Sequence, residues 1–129
     1  MKNQPRFTIT VDGLNEISNK FDGAKEIVEH YLQQAINFSL PEIQAQVRRH
    51  TPVITGRLRG GITYIEKAEN YLLPGAGTEK LSGMVISTVF YGQYVHKNTP
   101  FFDMAMPKSK GIASRRFQQA VDAIITELE

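Results

Sequence analysis

The sequence predicts an α+β domain, a small and mostly antiparallel sheet packed with one long kinked helix near residues 23–50 and a C-terminal helix near 113–128. Three observations predict it. Val28, Leu32, Ile36, Leu40, Ile43 and Val47 recur at steps of four, four, four, three and four, the period of a helix with one face on a core. Phe117, Val121, Ile124 and Leu128 repeat that stripe near the end of the chain, with Ala120 and Ile125 beside them. Between and before these stripes lie short apolar or β-branched runs of strand length. At 129 residues the chain has the size of a single domain, 1–129. A chain of that length buries roughly two thirds of its unfolded surface, enough to fold without staples.

The first element is Phe7-Thr8-Ile9-Thr10-Val11, which alternates and ends at the turn pair Asp12-Gly13; it reads as an opening strand. Leu14 to Phe21 suits a brief helical turn, with Asp22 as the expected cap of the long helix. In that helix Ile27, Tyr31 and Ala35 widen the apolar stripe, while Lys25, Glu29, Gln33, Gln34 and Gln46 take the other side. Pro41 cannot donate to the ladder, so a kink or a restart is expected near Asn37 to Pro41; because the stripe stays in phase across it, one long kinked helix is favoured over two. Thr51-Pro52 ends the helix, because the residue before a proline is pushed out of the α region.

Leu58, Ile62 and Tyr64 then share one face of an expected strand from Leu58 to Ile65, with Arg57, Arg59 and Thr63 opposite and Gly60-Gly61 as a bulge. Residues 74–80 read as a flexible loop. Met84 to Phe90 is apolar or β-branched on both faces, as in a central strand covered on two sides. Tyr94-Val95 is expected to extend it beyond a break at Gly92. An irregular segment from Pro100 to Gly111 precedes the last helix, for which Ser114 is the expected cap.

Composition narrows function by exclusion. Net charge is +2, too mild for a domain that binds nucleic acid over its whole surface. Cysteine is absent, which removes disulfides, thiolate metal sites and a cysteine nucleophile. The N-terminus lacks the apolar core of a signal peptide and no apolar run is long enough to cross a bilayer, so the expected setting is a cytoplasm.

No Gly-x-Ser-x-Gly elbow, phosphate-binding Gly-x-x-x-x-Gly-Lys loop or His-Glu-x-x-His helix occurs. His30, His50 and His96 are widely spaced, with no carboxylate at metal-ligand spacing. Glu26 and Glu29, or Glu66 and Glu69, have the spacing of solvated faces, and Glu79-Lys80 is the faintest trace of a nuclease-like pair. The expectation is a non-enzymatic protein with no cofactor and no metal.

Two features remain as candidate contact surfaces. Residues 1–42 carry six acids and four bases, and residues 43–129 seven acids and eleven bases. No acid lies between Glu42 and Glu66, a gap that holds Arg48, Arg49, Arg57 and Arg59. These arginines either complement a helix C-terminus and a solvated strand face, or face DNA or an acidic partner. Phe101, Phe102, Met104 and Met106 form the second feature, either a lid on the core or an exposed docking segment.

The stretch Thr51-Pro52-Val53-Ile54-Thr55-Gly56-Arg57-Leu58-Arg59, following a long helix, resembles the tail-component or tail-completion proteins of long-tailed bacteriophages and their prophages. That family carries Pro-Val-Asp-Thr-Gly-Arg-Leu at a helix-to-strand junction, then a Tyr-Val-Glu-x-Gly-Thr segment, then Pro-Phe-Leu-x-Pro-Ala before a final helix. Here Phe90 to Thr99 is similar to the second segment and Pro100-Phe101-Phe102-Asp103-Met104-Ala105 to the third, while Phe7 to Leu14 is similar to the family's opening. Ile54 replaces the family's Asp, His96 its Glu and Asn98 its Gly, so no role of that Asp or Glu carries over.

The resemblance implies a structural role in virion assembly, at the neck or tail terminus. Its implied partners are connector and tail-tube proteins, and copies of itself in a homo-oligomeric ring, with monomers before assembly. DNA would be met only in passage through the ring's lumen, and no membrane is involved. Arg57, Arg59 and the segment from Phe101 to Met106 are the expected contact residues. The rival reading is a small basic nucleic-acid-binding or regulatory module built on Arg48, Arg49, Arg57 and Arg59.

Overall fold

A computed structural model of the protein describes residues 4–21, 23–52, 56–66, 81–89 and 91–128. The chain runs β1 (Arg6–Val11), α1 (Leu14–Asn19), α2 (Lys25–His50), α3 (Arg57–Gly60), β2 (Ile62–Glu66), β3 (Leu81–Ser87), α4 (Gly92–Asn98) and α5 (Phe101–Leu128). It is an α+β fold, helix-rich, with a three-stranded antiparallel sheet in the order β1-β3-β2.

β1 alternates as its sequence demands: Phe7 and Ile9 are buried while Thr8 and Thr10 face water. Gly13, in the left-handed region at φ 71°, turns the chain into α1. α2 is a single helix through Pro41, and all six stripe residues from Val28 to Val47 are buried. Each such side chain contributes about 1.5–3 kcal/mol when removed from water, which outweighs a missing helix bond at one proline. Gln33, expected on the solvent side, is buried; its amide donates to Asn37 Oδ1 at 2.8 Å. The position before α2 is occupied by Ala24, which makes no side-chain cap, and Asp22 lies outside the described residues. Thr51 is extended, as a residue before proline should be, and its hydroxyl donates to the Val47 carbonyl at 2.7 Å.

β3 is buried at every residue, the expected signature of a central strand, although it starts at Leu81 and ends at Ser87. Its register pairs Phe7 with Val85 on one side and Tyr64 with Val85 on the other. Gly83 lets α2 approach the sheet: a Cβ there would lie 2.6 Å from Ile36 Cγ2 and 2.9 Å from Leu40 Cδ1.

α2 and α5 are antiparallel, since Tyr31 interacts with Glu127 while Glu42 bonds Arg116. α2 packs over β3 and β2, and α5 lies beside α2 with its inner edge toward β1. The core between the helices and the sheet is one cluster that includes Phe7, Ile36, Leu40, Val85, Phe101 and Ile124. Met84, Ile86 and Ile65 make a second, small cluster.

Three expected elements are corrected. The strand from Leu58 to Ile65 begins only at Ile62. Gly56, left-handed at φ 80°, starts a helical turn instead, closed by Gly60 N–H to the Gly56 carbonyl at 2.9 Å. Leu58 and Ile62 are four apart, a spacing that satisfies a strand face and a helix face alike, so their burial did not decide between them.

Tyr94-Val95 does not extend β3; it lies in α4, where Val95 turns toward the core, as does Tyr91 just before the helix, and Tyr94 turns toward water. The irregular segment from Pro100 to Gly111 is helical, and the C-terminal helix starts at Phe101 rather than near 113. The Pro100 carbonyl accepts the first bond, from Met104 N–H at 2.9 Å. Phe101, Phe102, Ala105, Ser109 and Ile112 set a helical stripe through Pro107, and Ser114 is mid-helix rather than a cap. The expected loop at 74–80 lies outside the described residues.

Candidate interaction surfaces

The four arginines do not form one free patch. Arg48 Nη2 donates to the Ile62 carbonyl at 3.0 Å, and Gln44 Nε2, one helical turn earlier, donates to the same oxygen at 2.8 Å. Arg59 Nη2 donates to the Thr51 carbonyl at 3.2 Å. Arg48 thus ties α2 to β2, and Arg59 ties α3 to the end of α2. Arg49 is exposed near the end of α2, where it complements the helix dipole, and Arg57 is exposed on α3.

The apolar segment also divides. Phe101 is fully buried and Phe102 nearly so, packed against each other at a centroid distance of 5.3 Å, so neither can form a docking surface. Met106 is partly buried against the core, while Met104 is 47% exposed. The helical spacing of α5 makes this division: Phe101, Phe102 and Ala105 point inward, and Asp103 and Met104 outward.

His96 stands edge-on to Phe101 at 5.2 Å and tilted to Phe102 at 6.1 Å. Its Nε2 is buried without a hydrogen-bond partner, beside a recess of about 220 Å³ that Arg6 and Asp103 also line. His30 is exposed and edge-on to Tyr31. Among the described residues no group of three histidines, cysteines or carboxylates gathers in a metal-binding arrangement. Glu79 and Lys80 lie outside the described residues.

Sequence reasoning missed the polar seam between α2 and α5. Arg116 forks onto Glu42, Nε to Oε2 at 3.1 Å and Nη2 to Oε1 at 2.9 Å, and Arg115 stands 3.9 Å from the same carboxylate. The hydrogen bond from Arg116 holds the Glu42 carboxyl below its ordinary value, and Glu42 in turn raises Arg116. Arg116 also lies over the ring of Phe38, 5.6 Å from its centroid, although Phe38 is half exposed. Desolvation, then Glu127, raises the Tyr31 phenol. No local motif foretells these pairs, whose partners are more than seventy residues apart.

An open groove of about 600 Å³ runs along α2 past Glu26, Glu29, His30, Asn37 and Phe38 to Glu66. Among the described residues no helix is long and apolar enough to cross a membrane. Compared with models of known families, with curated proteins and with solved structures, the chain matches none.

Proposed function

We propose that the protein is a structural virion-assembly subunit, a head–tail joining or tail-completion protein of a long-tailed bacteriophage or prophage. It acts without catalysis, by oligomerising and by docking to connector and tail-tube proteins, first in the host cytoplasm and then in the neck or tail. The observation that carries this reading is the ordered resemblance along the chain, from Phe7–Leu14 through Thr51–Arg59 to Phe90–Ala105. The positions of these segments suit it. The motif glycine is the left-handed residue that opens α3, and the third segment opens the final helix. Met104 is exposed and can serve as a contact, and a ring requires a heterologous interface that closes on itself.

Inactivating the gene in its phage or prophage should leave filled heads and finished tails unjoined, or tails of uncontrolled length, in electron micrographs of induced cells. Purified protein mixed with its neighbouring connector should form rings. Normal virions from the inactivated strain would refute the proposal.

A further inference from the structure

Both outer strands of the sheet keep unpaired main-chain groups. In the β1–β3 ladder the Pro5 carbonyl accepts from Ser87 N–H at 3.2 Å. By alternation Phe7, Ile9 and Val11 bond β3, while Thr8 and Thr10 turn their N–H and C=O groups outward. Ser87 thus faces β1, so Ile62 opposite it turns outward from β2, as do Tyr64 and Glu66. Gln44 and Arg48 hold the Ile62 carbonyl. Among the described residues nothing bonds the outward main-chain groups of Tyr64, Glu66, Thr8 or Thr10.

The surfaces beside these two edges are complementary. β1 and α5 bound a groove of about 460 Å³, with Ile9, Met106 and Ala113 among its apolar walls and exposed Lys110 on its rim. Arg6 also lines it but has partners in its own chain, the Gln4 carbonyl at 3.3 Å among them. The open groove along α2 reaches the β2 edge at Glu66 and carries the carboxylates of Glu26 and Glu29 as well. Tyr64 lies on the same face of β2 as buried Ile62, yet is 38% exposed.

We propose that the β2 edge of one copy pairs with the β1 edge of the next, so that the sheet continues from copy to copy. β1 and β2 both run antiparallel to β3, so copies set side by side in the same sense pair these strands in parallel. With the Ile62 carbonyl taken, the bonds fall at Tyr64. Its N–H donates to the next copy's Thr8 carbonyl, and its own carbonyl accepts from that copy's Thr10 N–H. Tyr64 then stands opposite Ile9 and its ring enters the apolar groove, while Lys110 on the incoming α5 approaches Glu66, Glu29 and Glu26. Pairing two β2 edges would instead set these carboxylates against their own copies. Because the two paired edges differ, the contact is heterologous, and repeated it closes a ring or runs on as a filament. It gives the function proposed above its self-assembly surface and rests on that reading for its place in a virion, but the pairing itself is tested without one.

The chain has no cysteine, so two single substitutions can report the pairing. Thr8→Cys and Thr63→Cys put thiols opposite each other across the contact, on strands about 4.8 Å apart, within disulfide reach. Mixed at millimolar concentration in a glutathione redox buffer, the two variants should form a mixed disulfide, identified from its cross-linked peptides, and neither alone should form one. In the wild-type chain labelled for NMR, raising the concentration should slow hydrogen exchange at the Thr10 and Tyr64 amides. Thr10→Pro removes an outward N–H that the β1–β3 ladder does not use, and should weaken association roughly tenfold, the worth of one hydrogen bond. Glu66→Lys should weaken it as well, and Lys110→Glu added to the same chain should restore it. Disulfides in either cysteine variant alone mark a two-fold contact and overturn the proposal. So does the absence of the mixed disulfide, or of concentration-dependent protection at millimolar protein. Normal virions after gene inactivation, with the mixed disulfide formed, would refute the virion reading and leave the pairing standing.

Discussion

At the scale of single residues, the segment after Pro100 separates core from surface within one helical turn. Phe101→Ala should cost about 3–5 kcal/mol, because it empties a fully enclosed ring site. Met104→Ala should change stability by less than about 0.5 kcal/mol, since its side chain already faces water. Urea unfolding of both variants checks the division. Gly83→Ala should destabilise by about 1–3 kcal/mol, since the new methyl group meets Ile36 and Leu40 in the helix–sheet contact. Glu42 contributes in a pH-dependent way. Its folded pKa lies below the ordinary 4.5, chiefly because Arg116 donates to it. Stability from such a carboxylate is complete above the unfolded value and is lost as pH falls through the folded one. The pair is about one third exposed, so its contribution is below about 1 kcal/mol. Wild type and Glu42→Gln should therefore differ in urea midpoint at neutral pH and converge as the solution is acidified below the glutamate range.

At the scale of elements, two helices carry prolines and differ in what the sequence disclosed about them. α2 was legible because its stripe is long, in phase and flanked by polar residues, so Pro41 could not disguise it. α5 was legible only in its second half. Pro107 and Gly111 read as breakers, yet the burial of Phe101, Phe102, Ala105 and Ile112 holds the first three turns helical. Replacing Pro107 by Ala should raise stability by about 1–3 kcal/mol, seen as a higher urea midpoint, because it restores a donor and removes a ring clash. The β2 edge makes the complementary case. The double change Gln44→Ala with Arg48→Ala should cost about 1–2 kcal/mol and speed hydrogen exchange in β2, because the Ile62 carbonyl loses both donors.

At the scale of the whole molecule, positive charge is spread rather than gathered. Arg48 and Arg59 hold backbone carbonyls, and Arg116 is paired with Glu42. Duplex DNA should therefore bind weakly or not at all at physiological salt. A fluorescence-anisotropy salt titration checks this: a tight complex lost steeply as salt rises would favour the rival nucleic-acid module. The candidate surfaces were legible only in part for the same reason. A run of arginines or of phenylalanines states which chemistry is present, and the fold decides which of those groups remains outside.

The sequence by itself determined what depends on local period: the opening strand, the α2 stripe, the fully buried central strand and the end of α2 before Pro52. Only the tertiary structure decided that Arg57–Gly60 is a turn, that Tyr94-Val95 is helical, and that α5 begins at Phe101. It also decided that Gln44 and Arg48 cover the outward carbonyl of Ile62 on β2. The physical reason is common to all of these. A repeat of side chains fixes the shape of a segment when many residues agree on it. Short segments with breakers, or with a four-residue spacing that suits helix and strand equally, take the shape that buries their apolar groups against partners distant in the chain.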